Sequence, residues 1–494
     1  MKNIKTIIVA LLCVLLCAAM FTACQNPEGT ATPIPTGTPE VVAKPDKIAM
    51  KAGDVYRIFV WNNTVENQAV DGTQGARGEE TRKRWLDFQE EYGVTITWVA
   101  NPNTSDWMTA VFQPAASGEP IADIVHMGGP FVIPTALGYG GTALGSLYED
   151  LALYSEYTNF DDPSFWDQSA KEAMGVYNGK QFITFAFDEG WGAAAVNQVT
   201  FFNKELIKEG GYTAEQIYDW YKKGEWTFDK YKQVALDCTN VDKGVYGAAV
   251  AQNGMALLSL VTANNGAVLT PNEQGIPEFS ADSANSLEAI NFFLDMCKND
   301  GSVCLENGIS QIEATLFKTG KVATMLTYAN RVQEGEGPRG GAMYQQEGFE
   351  YGIVLPPKGP KADDYRSDKN WATPYAVFSG HQNPAGAAQC LSYYLCPQTP
   401  IDGLKQSMLL EADAATYFQD EQSIQTLKDA IDKNVTTSYM AYWSVTKDNV
   451  GLCTVMSWGF DKWINGESTP ETDYAAGKEV VNNIIAETIA GQQA

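Results

Sequence analysis

Tyr177-Asn-Gly-Lys-Gln-Phe-Ile-Thr-Phe-Ala-Phe-Asp-Glu-Gly-Trp191 is the stretch that decides the fold, and Phe201-Phe-Asn-Lys-Glu-Leu-Ile207 follows it closely. Asn178-Gly179 is a turn signal, and the apolar run behind it is typical of a buried strand. Asn203 then precedes a short helical pattern that stops at Gly210. A buried strand, a polar break and a strand that opens into a helix together indicate an α/β protein.

The predicted strand ends in two carboxylates and an indole, at Asp188, Glu189 and Trp191, beside the flexible backbone of Gly190. Carboxylates accept hydrogen bonds from hydroxyl groups, and an indole face covers the C–H face of a sugar ring. The three side chains therefore make a candidate site for a neutral, polyhydroxylated ligand. An ordinary acidic loop at the end of a strand is the alternative that these residues alone leave open.

Length and charge limit the possible functions. A chain of 494 residues is too long for one core and indicates two or three domains. Hydrophobic residues make up 45%, so the chain is expected to be globular. Its formal net charge of −26 disfavours nucleic acids and anionic membrane surfaces as partners.

The first residues have the pattern of an export signal. Lys2 and Lys5 precede an apolar run over 7–20, which is too short to span a bilayer. Phe21-Thr-Ala-Cys24 then resembles a bacterial lipobox, with Phe21 where leucine is usual. We therefore expect a lipoprotein signal peptide at 1–23 and a lipidated Cys24; the alternative is an ordinary signal peptide with a chance cysteine.

Residues 24–49 are predicted to form a tether. This segment is rich in proline and threonine and has almost no large apolar residues, a composition that gives an extended spacer. A domain held off a membrane by a lipid needs such a spacer. Localisation at the outer face of the cytoplasmic membrane is the expectation.

Six cysteines follow the leader and the tether, and they contain no C-x-x-C pair. Local bridges at Cys297–Cys304 or Cys390–Cys396 are possible, but a chain of this size does not need disulfides. Buried free thiols are therefore the favoured interpretation.

Alternating strand and helix patterns follow the tether. Short links between them favour a parallel sheet with crossover helices, in which ligands bind beyond the carboxyl ends of the strands. Trp61, Asn62 and Asn63 fall at such an end. Strands are predicted over 55–61, 94–99 and 122–126, and helices over 79–92 and 106–116.

The same alternation continues after the central stretch. Thr213-Ala-Glu-Gln216 has the spacing of a capping box, and Thr227 begins a further helix. Polar breaks at Asn264 and Asn265 end an apolar segment. Helices over 284–298 and 385–395 and a strand over 322–327 complete the prediction.

The sequence lacks the motifs of most classes of catalytic site. His126 and His381 are the only histidines, and the sequence contains no zinc motif, nucleophile elbow or P-loop. No metal or cofactor is therefore expected, and no catalytic residue is assigned. A secreted glycosidase remains as the alternative because two carboxylates suffice for it, and sixty acidic residues make candidate pairs uninformative.

Aromatic residues at strand ends are a better indication. Trp61, Trp191, Tyr328 and Trp371 each follow a predicted strand beside glycine, asparagine or an acid. A cleft with such a lining binds carbohydrate by stacking and by hydrogen bonds at the polar edges of the ring.

Several ordered motifs resemble the family 1 extracellular solute-binding proteins of bacterial ABC importers, the maltose-binding-protein-like group. The resemblance runs from about residue 52 to the C-terminal helices, with departures at Phe228 and around Ala323-Thr324. The motifs are Tyr177-Asn-Gly-Lys180, Phe202-Asn-Lys-Glu-Leu206, Trp226-Thr-Phe-Asp229, Phe317-Lys-Thr-Gly-Lys-Val-Ala-Thr-Met325, Leu355-Pro-Pro-Lys-Gly-Pro360 and Asn383-Pro-Ala-Gly-Ala-Ala388.

The resemblance implies two α/β lobes that close about a hinge on a ligand in the cleft between them. By the same resemblance, 50–186 and 321–373 form the N-terminal lobe, and 187–320 and 374–494 form the C-terminal lobe. Such hinge closure is a common ligand-driven motion. The implied function is that of a lipid-anchored, monomeric binding protein that delivers a carbohydrate to permease subunits in the membrane.

The resemblance also adds positions to the candidate site. Glu189 falls where the family has a sugar-contacting acid after the same strand. A binding protein of the same fold for a peptide or an anion is a further alternative, although acids and aromatics favour a neutral ligand. The full set of predicted ligand-binding residues is Trp61, Asn62, Asn63, Asp188, Glu189, Trp191, Asn264, Asn265, Tyr328, Arg331, Trp371, Tyr442 and Trp443.

Overall fold

The fold is taken from a computed structural model that describes most of the chain after the predicted tether. The described residues are 47–60, 85–100, 107–127, 129–136, 147–163, 166–177, 179–186, 198–250, 255–273, 276–297, 303–304, 316–329, 348–368, 374–394, 418, 420–435, 446–447, 450–457 and 460–491. All of them belong to one compact unit that covers Glu40–Ala494.

Strands and helices alternate along this unit, as the hydrophobic patterns predict. The strands are β1 Val55–Val60, β2 Thr95–Ala100, β3 Ile124–His126, β4 Val176–Tyr177, β5 Lys180–Gln181, β6 Gln198–Asn203, β7 Tyr246–Val250, β8 Leu269–Pro271, β9 Pro277–Phe279, β10 Val303–Cys304, β11 Val322–Tyr328, β12 Tyr351–Val354, β13 Ser367–Asp368, β14 Tyr375–Val377, β15 Asn434–Val435, β16 Thr446–Lys447 and β17 Val450–Gly451.

The helices pack around these strands. They are α1 Trp107–Ala116, α2 Gly129–Ala136, α3 Gln168–Met174, α4 Lys204–Glu209, α5 Ala214–Lys222, α6 Phe228–Cys238, α7 Met255–Ala263, α8 Ala284–Asp295, α9 Pro384–Tyr394, α10 Glu421–Asp432, α11 Leu452–Ser457, α12 Phe460–Asn465 and α13 Pro470–Gly491. Residues 85–92 are also helical. No described helix combines the length and the apolar character that a membrane span requires.

Two sheets organise the unit. The first has the order β14-β3-β1-β2, in which β1, β2 and β3 are parallel and β14 is antiparallel to β3. The second has the order β10-β7-β11-β6-β12, with β6 antiparallel to both of its neighbours. The central strands of the second sheet, β6 and β11, are buried along their whole length, as is typical of strands covered on both faces.

Helix caps fix several helices where the sequence predicts them. Thr213 and Gln216 form the predicted capping box of α5. The Thr227 side chain accepts a hydrogen bond from the Lys230 N–H and begins α6. Asn203 caps α4 in the same way and thereby ends β6. Local side-chain chemistry therefore sets these boundaries.

Strand pairing corrects the predicted division into lobes. Residues 321–373 were assigned to the N-terminal lobe, but β11 pairs with β6 and β7, and β12 pairs with β6, all in the second sheet. Conversely, β14 pairs with β3 in the first sheet, although 374–494 were assigned to the C-terminal lobe. The predicted boundaries at 321 and 374 are wrong for these strands because pairing across the sheets decides membership.

The central stretch differs in detail from the single strand that its apolar run predicts. The turn at Gly179, whose φ is +76°, joins β4 and β5 in a two-stranded hairpin. Beyond the hairpin, Thr184 pairs with Tyr375 of β14, and Ala186 pairs with Trp166. The stretch therefore closes a hairpin and then joins the edge of the first sheet.

The described thiols agree with the favoured interpretation of the cysteines. Cys238 and Cys390 are buried free thiols, so Cys390 forms no bridge with Cys396. Burial raises the pKa of the Cys238 thiol to about 12, which keeps it protonated and unreactive.

Candidate functional site

The carboxyl edge of the first sheet is built by three parallel strands and one antiparallel strand. β1 and β3 end side by side, with Val60 paired to His126. β14 enters this edge at Tyr375, whose ring stacks on the His126 ring with centroids 3.9 Å apart and planes 8° apart. Thr184 lies on the other side of Tyr375, and the two backbones exchange hydrogen bonds of 2.9 and 2.8 Å.

The carboxyl edge of the second sheet is formed by β7, β11 and β12, which run in one direction. β11 ends at Tyr328, and the antiparallel β6 begins directly opposite at Gln198. Tyr328 is only 4% exposed. This predicted site residue therefore lies at the predicted edge of a sheet, with its side chain buried.

Chain crossings join these two edges. The described chain passes from the first sheet to β6 of the second between Ala186 and Gln198, and it returns to the first sheet between Asp368 of β13 and Tyr375 of β14. The first crossing leaves the first sheet beside Tyr375 and enters the second at the carboxyl end of β11. The second is short: the six residue steps from Asp368 to 374 span at most about 20 Å. The first crossing therefore adjoins the carboxyl edges of both sheets, and the second adjoins that of the first sheet at Tyr375. Open α/β sheets bind ligands at such edges.

Most of the predicted site residues lie outside the described part of the chain. Their places in the sequence are nevertheless informative, because several directly adjoin an edge or a crossing. Trp61 comes directly after β1, Glu189 falls within the first crossing, and Trp371 falls within the second. The residues outside the described ranges are Trp61, Asn62, Asn63, Asp188, Glu189, Trp191, Arg331, Trp371, Tyr442 and Trp443; Cys24 also lies outside them.

Asn264 is described, and the structure gives its side chain a structural role. The residue is fully buried at the end of α7. Its Nδ2 donates to the Asn285 carbonyl oxygen at 2.8 Å and to Glu288 Oε2 at 2.9 Å. Its Oδ1 accepts from the Lys361 N–H at 3.0 Å. Both amide protons are thus used inside the protein, and the predicted ligand contact by this side chain is not supported.

Asn265 is exposed and forms the turn after α7. Its φ of +56° places it in the left-handed region, which asparagine tolerates better than most residues. Its carbonyl oxygen accepts a hydrogen bond of 3.1 Å from Asn285 Nδ2. The polar pair after α7 therefore marks a helix end, and the exposed Asn265 side chain is the member that a ligand can still reach.

Three buried polar residues of β6 and β13 were missed by the sequence analysis. Gln198 and Thr200 lie on β6, Ser367 begins β13, and all three are fully buried. Within the described part of the chain, both polar atoms of the Gln198 amide, Thr200 Oγ1 and Ser367 Oγ lack hydrogen-bond partners. The only sequence signal was glutamine and threonine inside an otherwise apolar strand.

The described residues offer no metal site: they contain no group of three or more histidine, cysteine, aspartate or glutamate side chains arranged to hold an ion. Lys204 directly follows β6 and is partly buried, and its ammonium group contacts Asp420 at 3.1 Å and Glu350 at 3.2 Å. Burial alone would lower the pKa of Lys204, but the two carboxylates outweigh burial and raise it. Lys204 is therefore a paired cation at the helix end of β6.

Comparison by sequence gives no match, either to models of protein families or to curated proteins. Comparison of the fold does. An ABC substrate-binding protein from Listeria monocytogenes, solved with cycloalternan, matches 89% of this chain and 99% of its own, with a TM-score of 0.57 and 16% identity. A cyclic α-maltosyl-1,6-maltose binding protein from Arthrobacter globiformis matches 88% and 100%, with a TM-score of 0.61 and 16% identity.

A third similar structure comes from Mycobacterium tuberculosis and was solved with glycerophosphocholine. It matches 89% of this chain and all of its own, with a TM-score of 0.61 and 14% identity. At these identities the likeness concerns the fold. The chain therefore has the same two-lobe fold as these solute-binding proteins.

Proposed function

We propose that the chain is the substrate-binding protein of an ABC importer and that it captures a neutral carbohydrate between its two lobes. The observation that carries this proposal is that one chain crossing adjoins the carboxyl edges of both sheets and a second adjoins that of the first sheet. The acidic and aromatic candidates Glu189 and Trp371 lie within those crossings, and Trp61 directly follows β1. Similar structures were solved with maltotetraose and with acarbose, which agrees with a glycan as the ligand.

The proposed mechanism is capture and release without chemistry. Glu189 and Asp188 accept hydrogen bonds from hydroxyl groups, and Trp61 and Trp191 stack on the sugar rings. The ligand favours the closed lobes only by the additional affinity that it has for that form. Permease subunits in the membrane then recognise the closed protein and accept the ligand.

A thermal-shift screen tests the proposal. Purified protein is heated with maltotetraose, cycloalternan, D-mannitol, D-tagatose, peptides, amino acids and glycerophosphocholine, and each hit is recovered by chromatography. A ligand at 100 times its Kd adds about 2.7 kcal/mol to the free energy of unfolding. We expect stabilisation by one series of carbohydrates, recovered intact. Consumption of a glycan would support the glycosidase alternative. Stabilisation by peptides or charged compounds alone would contradict the proposal that the ligand is a carbohydrate.

Glu189→Gln tests the carboxylate that contacts the ligand in this proposal. The amide keeps the size of the side chain but replaces one charged acceptor, so we expect Kd to rise by roughly tenfold, because hydrogen bonds to charged groups contribute about 1.5–3 kcal/mol. Isothermal titration measures the change. Glu172→Gln, on the exposed face of α3, is the control and should leave Kd unchanged. An unchanged Kd in Glu189→Gln would remove this residue from the site.

The membrane anchor belongs to the same proposal. A signal peptide at 1–23, a lipidated Cys24 and a tether over 24–49 would hold the monomeric binding domain at the outer face of the cytoplasmic membrane. The pattern Phe21-Thr-Ala-Cys24 and the proline-rich composition support it. Cys24→Ser should move the protein from the membrane fraction to the medium, and retention in the membrane fraction would contradict lipidation at this residue.

A further inference from the structure

Three buried polar residues of the second sheet form what we call the edge cluster: Gln198, Thr200 and Ser367. Gln198 and Thr200 alternate along β6, so their side chains leave the same face of the strand. β13, which begins with Ser367, lies against β6, with Cα atoms within 8 Å. The two strands that carry the edge cluster are therefore adjacent, and each of the three side chains is completely buried.

The polar atoms of the edge cluster are unusual because the described residues give them no hydrogen bonds. This holds for Gln198 Oε1, Gln198 Nε2, Thr200 Oγ1 and Ser367 Oγ. Buried polar groups in folded proteins are almost always paired, since an unpaired group loses its bonds to water on folding and gains nothing. Four such atoms together cost stability, which indicates that they are kept for a purpose other than folding.

Comparable residues elsewhere in the chain show what full pairing looks like. Gln389, equally buried, accepts from the Ala49 N–H at 2.7 Å and donates to the carbonyl oxygens of Lys47 and Tyr157 at 2.9 Å each. Thr324, equally buried on β11, donates to the Gly247 carbonyl oxygen at 2.8 Å. Buried glutamine and threonine side chains can thus be paired in this fold, although Gln181 Nε2 and Thr184 Oγ1 lack partners among the described residues, as the edge cluster does.

The edge cluster also lies where ligand and hinge meet in the proposed function. Gln198 is the first residue of β6, directly after the first crossing, and Ser367 lies two residues before the second crossing. Positions at the ends of elements beside a hinge change their surroundings when lobes open and close. A ligand held at the carboxyl edges therefore approaches the edge cluster before any other buried polar group of β6.

We propose that the edge cluster is a subsite that binds hydroxyl groups of the neutral ligand, with Gln198 as its specificity-determining residue. The amide donates and accepts, the Thr200 and Ser367 hydroxyls do both, and none carries a charge, which suits hydroxyl groups rather than phosphate or carboxylate. This inference rests on the proposed function and deepens it by assigning the part of the site in the second lobe.

Isosteric substitutions in the full-length chain test the subsite by two measurements, the Kd for ligand and the Tm without ligand. A binding role predicts that Kd rises while Tm does not fall. Gln198→Met and Thr200→Val remove polar atoms but keep volume. We expect Kd to rise about tenfold for Gln198→Met and about threefold for Thr200→Val, measured by titration with maltotetraose, cycloalternan, D-mannitol and D-tagatose. Without ligand, Tm should stay unchanged or rise, because the removed atoms make no hydrogen bonds within the protein.

The matched controls are Gln389→Met and Thr324→Val, which remove paired atoms of the same residue types. Both should lower Tm without ligand by about 2 °C or more, because each leaves buried partners unsatisfied. Both should leave Kd unchanged. The contrast between the two pairs of variants distinguishes a binding role from a structural role of the edge cluster.

Each remaining outcome overturns the inference in an identifiable way. If Gln198→Met lowers Tm without ligand as much as Gln389→Met does, the amide is paired within the protein and the subsite is refuted. If its Kd equals that of the wild-type chain for every bound probe, the subsite is refuted while the proposed function stands. If the wild-type chain binds none of the four probes, the carbohydrate function fails and the subsite fails with it.

Discussion

Asn264 shows at the scale of one residue how a polar break in the sequence can have two meanings. An asparagine after an apolar helix is typical both of a ligand loop and of a helix end. Here the side chain binds the first turn of α8 and the segment that contains Lys361, and Gly359 packs so closely that an added Cβ would lie 2.3 Å from Asn264 Oδ1. The residue therefore joins three segments of the second lobe.

Asn264→Ala should consequently destabilise the protein without changing ligand affinity. The substitution leaves the Asn285 carbonyl oxygen and the Lys361 N–H without their buried partner, and each unsatisfied group costs about 1–3 kcal/mol. Urea unfolding measures the loss, and titration measures Kd. Asn265→Gly, at the neighbouring left-handed position, is the control and should change the free energy of unfolding by less than about 0.5 kcal/mol. A large rise in Kd with unchanged stability would restore Asn264 to the ligand site.

The residues of the candidate site could be predicted only in part from the sequence. Trp61 and Tyr328 follow strong strand patterns, and the structure places the ends of β1 and β11 as those patterns indicate. Gln198 gave no usable signal, because its importance depends on burial and on the absence of partners among the described residues. Both properties arise from tertiary packing, which the strand pattern alone does not contain.

At the scale of elements, a set of hydrogen bonds fastens the start of the folded domain to the segment before α9. Asp54 Oδ2 accepts from the Lys51 N–H at 3.0 Å, from the Tyr56 hydroxyl at 2.8 Å and from Asn383 Nδ2 at 2.9 Å. Burial alone would raise the pKa of the Asp54 carboxyl, but these hydrogen bonds outweigh burial and lower that pKa below its usual value. The ionised form of Asp54 therefore stabilises the first lobe.

The contribution of Asp54 to stability should depend on pH in a defined direction. A carboxyl whose pKa is lowered by folding stabilises the protein fully above its unfolded pKa, about 3.9, and loses that effect as the pH falls further. We expect wild type to be more stable than Asp54→Asn at neutral pH and the difference to shrink below about pH 4. Denaturant unfolding across this range measures it, with the exposed Asp363→Asn as the control. A difference that is constant down to about pH 2 would contradict the assigned pKa direction.

Some elements are predicted better from the sequence than others. The accuracy depends on how far apart along the chain the interacting residues lie. The caps at Thr213 and Thr227 depend on residues three positions away, and both were predicted correctly. Membership of a sheet depends on partners far along the chain: β14 pairs with β3, about 250 residues earlier in the sequence. The predicted assignment of β11, β12 and β14 to lobes was wrong for this reason.

At the scale of the whole molecule, one apolar core extends across both sheets. Buried residues in mutual contact include Phe59 of β1, Phe185 just before the first crossing, and Val199 and Phe201 of β6 just after it. A second, smaller core covers the other face of the first sheet and contains Tyr56 and Trp166. The larger core includes residues on both sides of the first crossing. The free energy of unfolding of one lobe therefore depends on the other lobe.

We therefore expect the two lobes to unfold in one calorimetric transition. In a scanning calorimeter, the calorimetric and van't Hoff enthalpies should agree, as they do for a cooperative two-state transition. Variants that weaken one lobe provide the sharper measurement: Gln389→Met in the first lobe and Thr324→Val in the second should each lower the Tm of the whole transition without dividing it. Lobes with separate cores would instead give two resolved transitions, only one of which moves in each variant. A saturating ligand should raise the same single Tm, because it binds both lobes only in the folded form and every part of the continuous core shares that stabilisation.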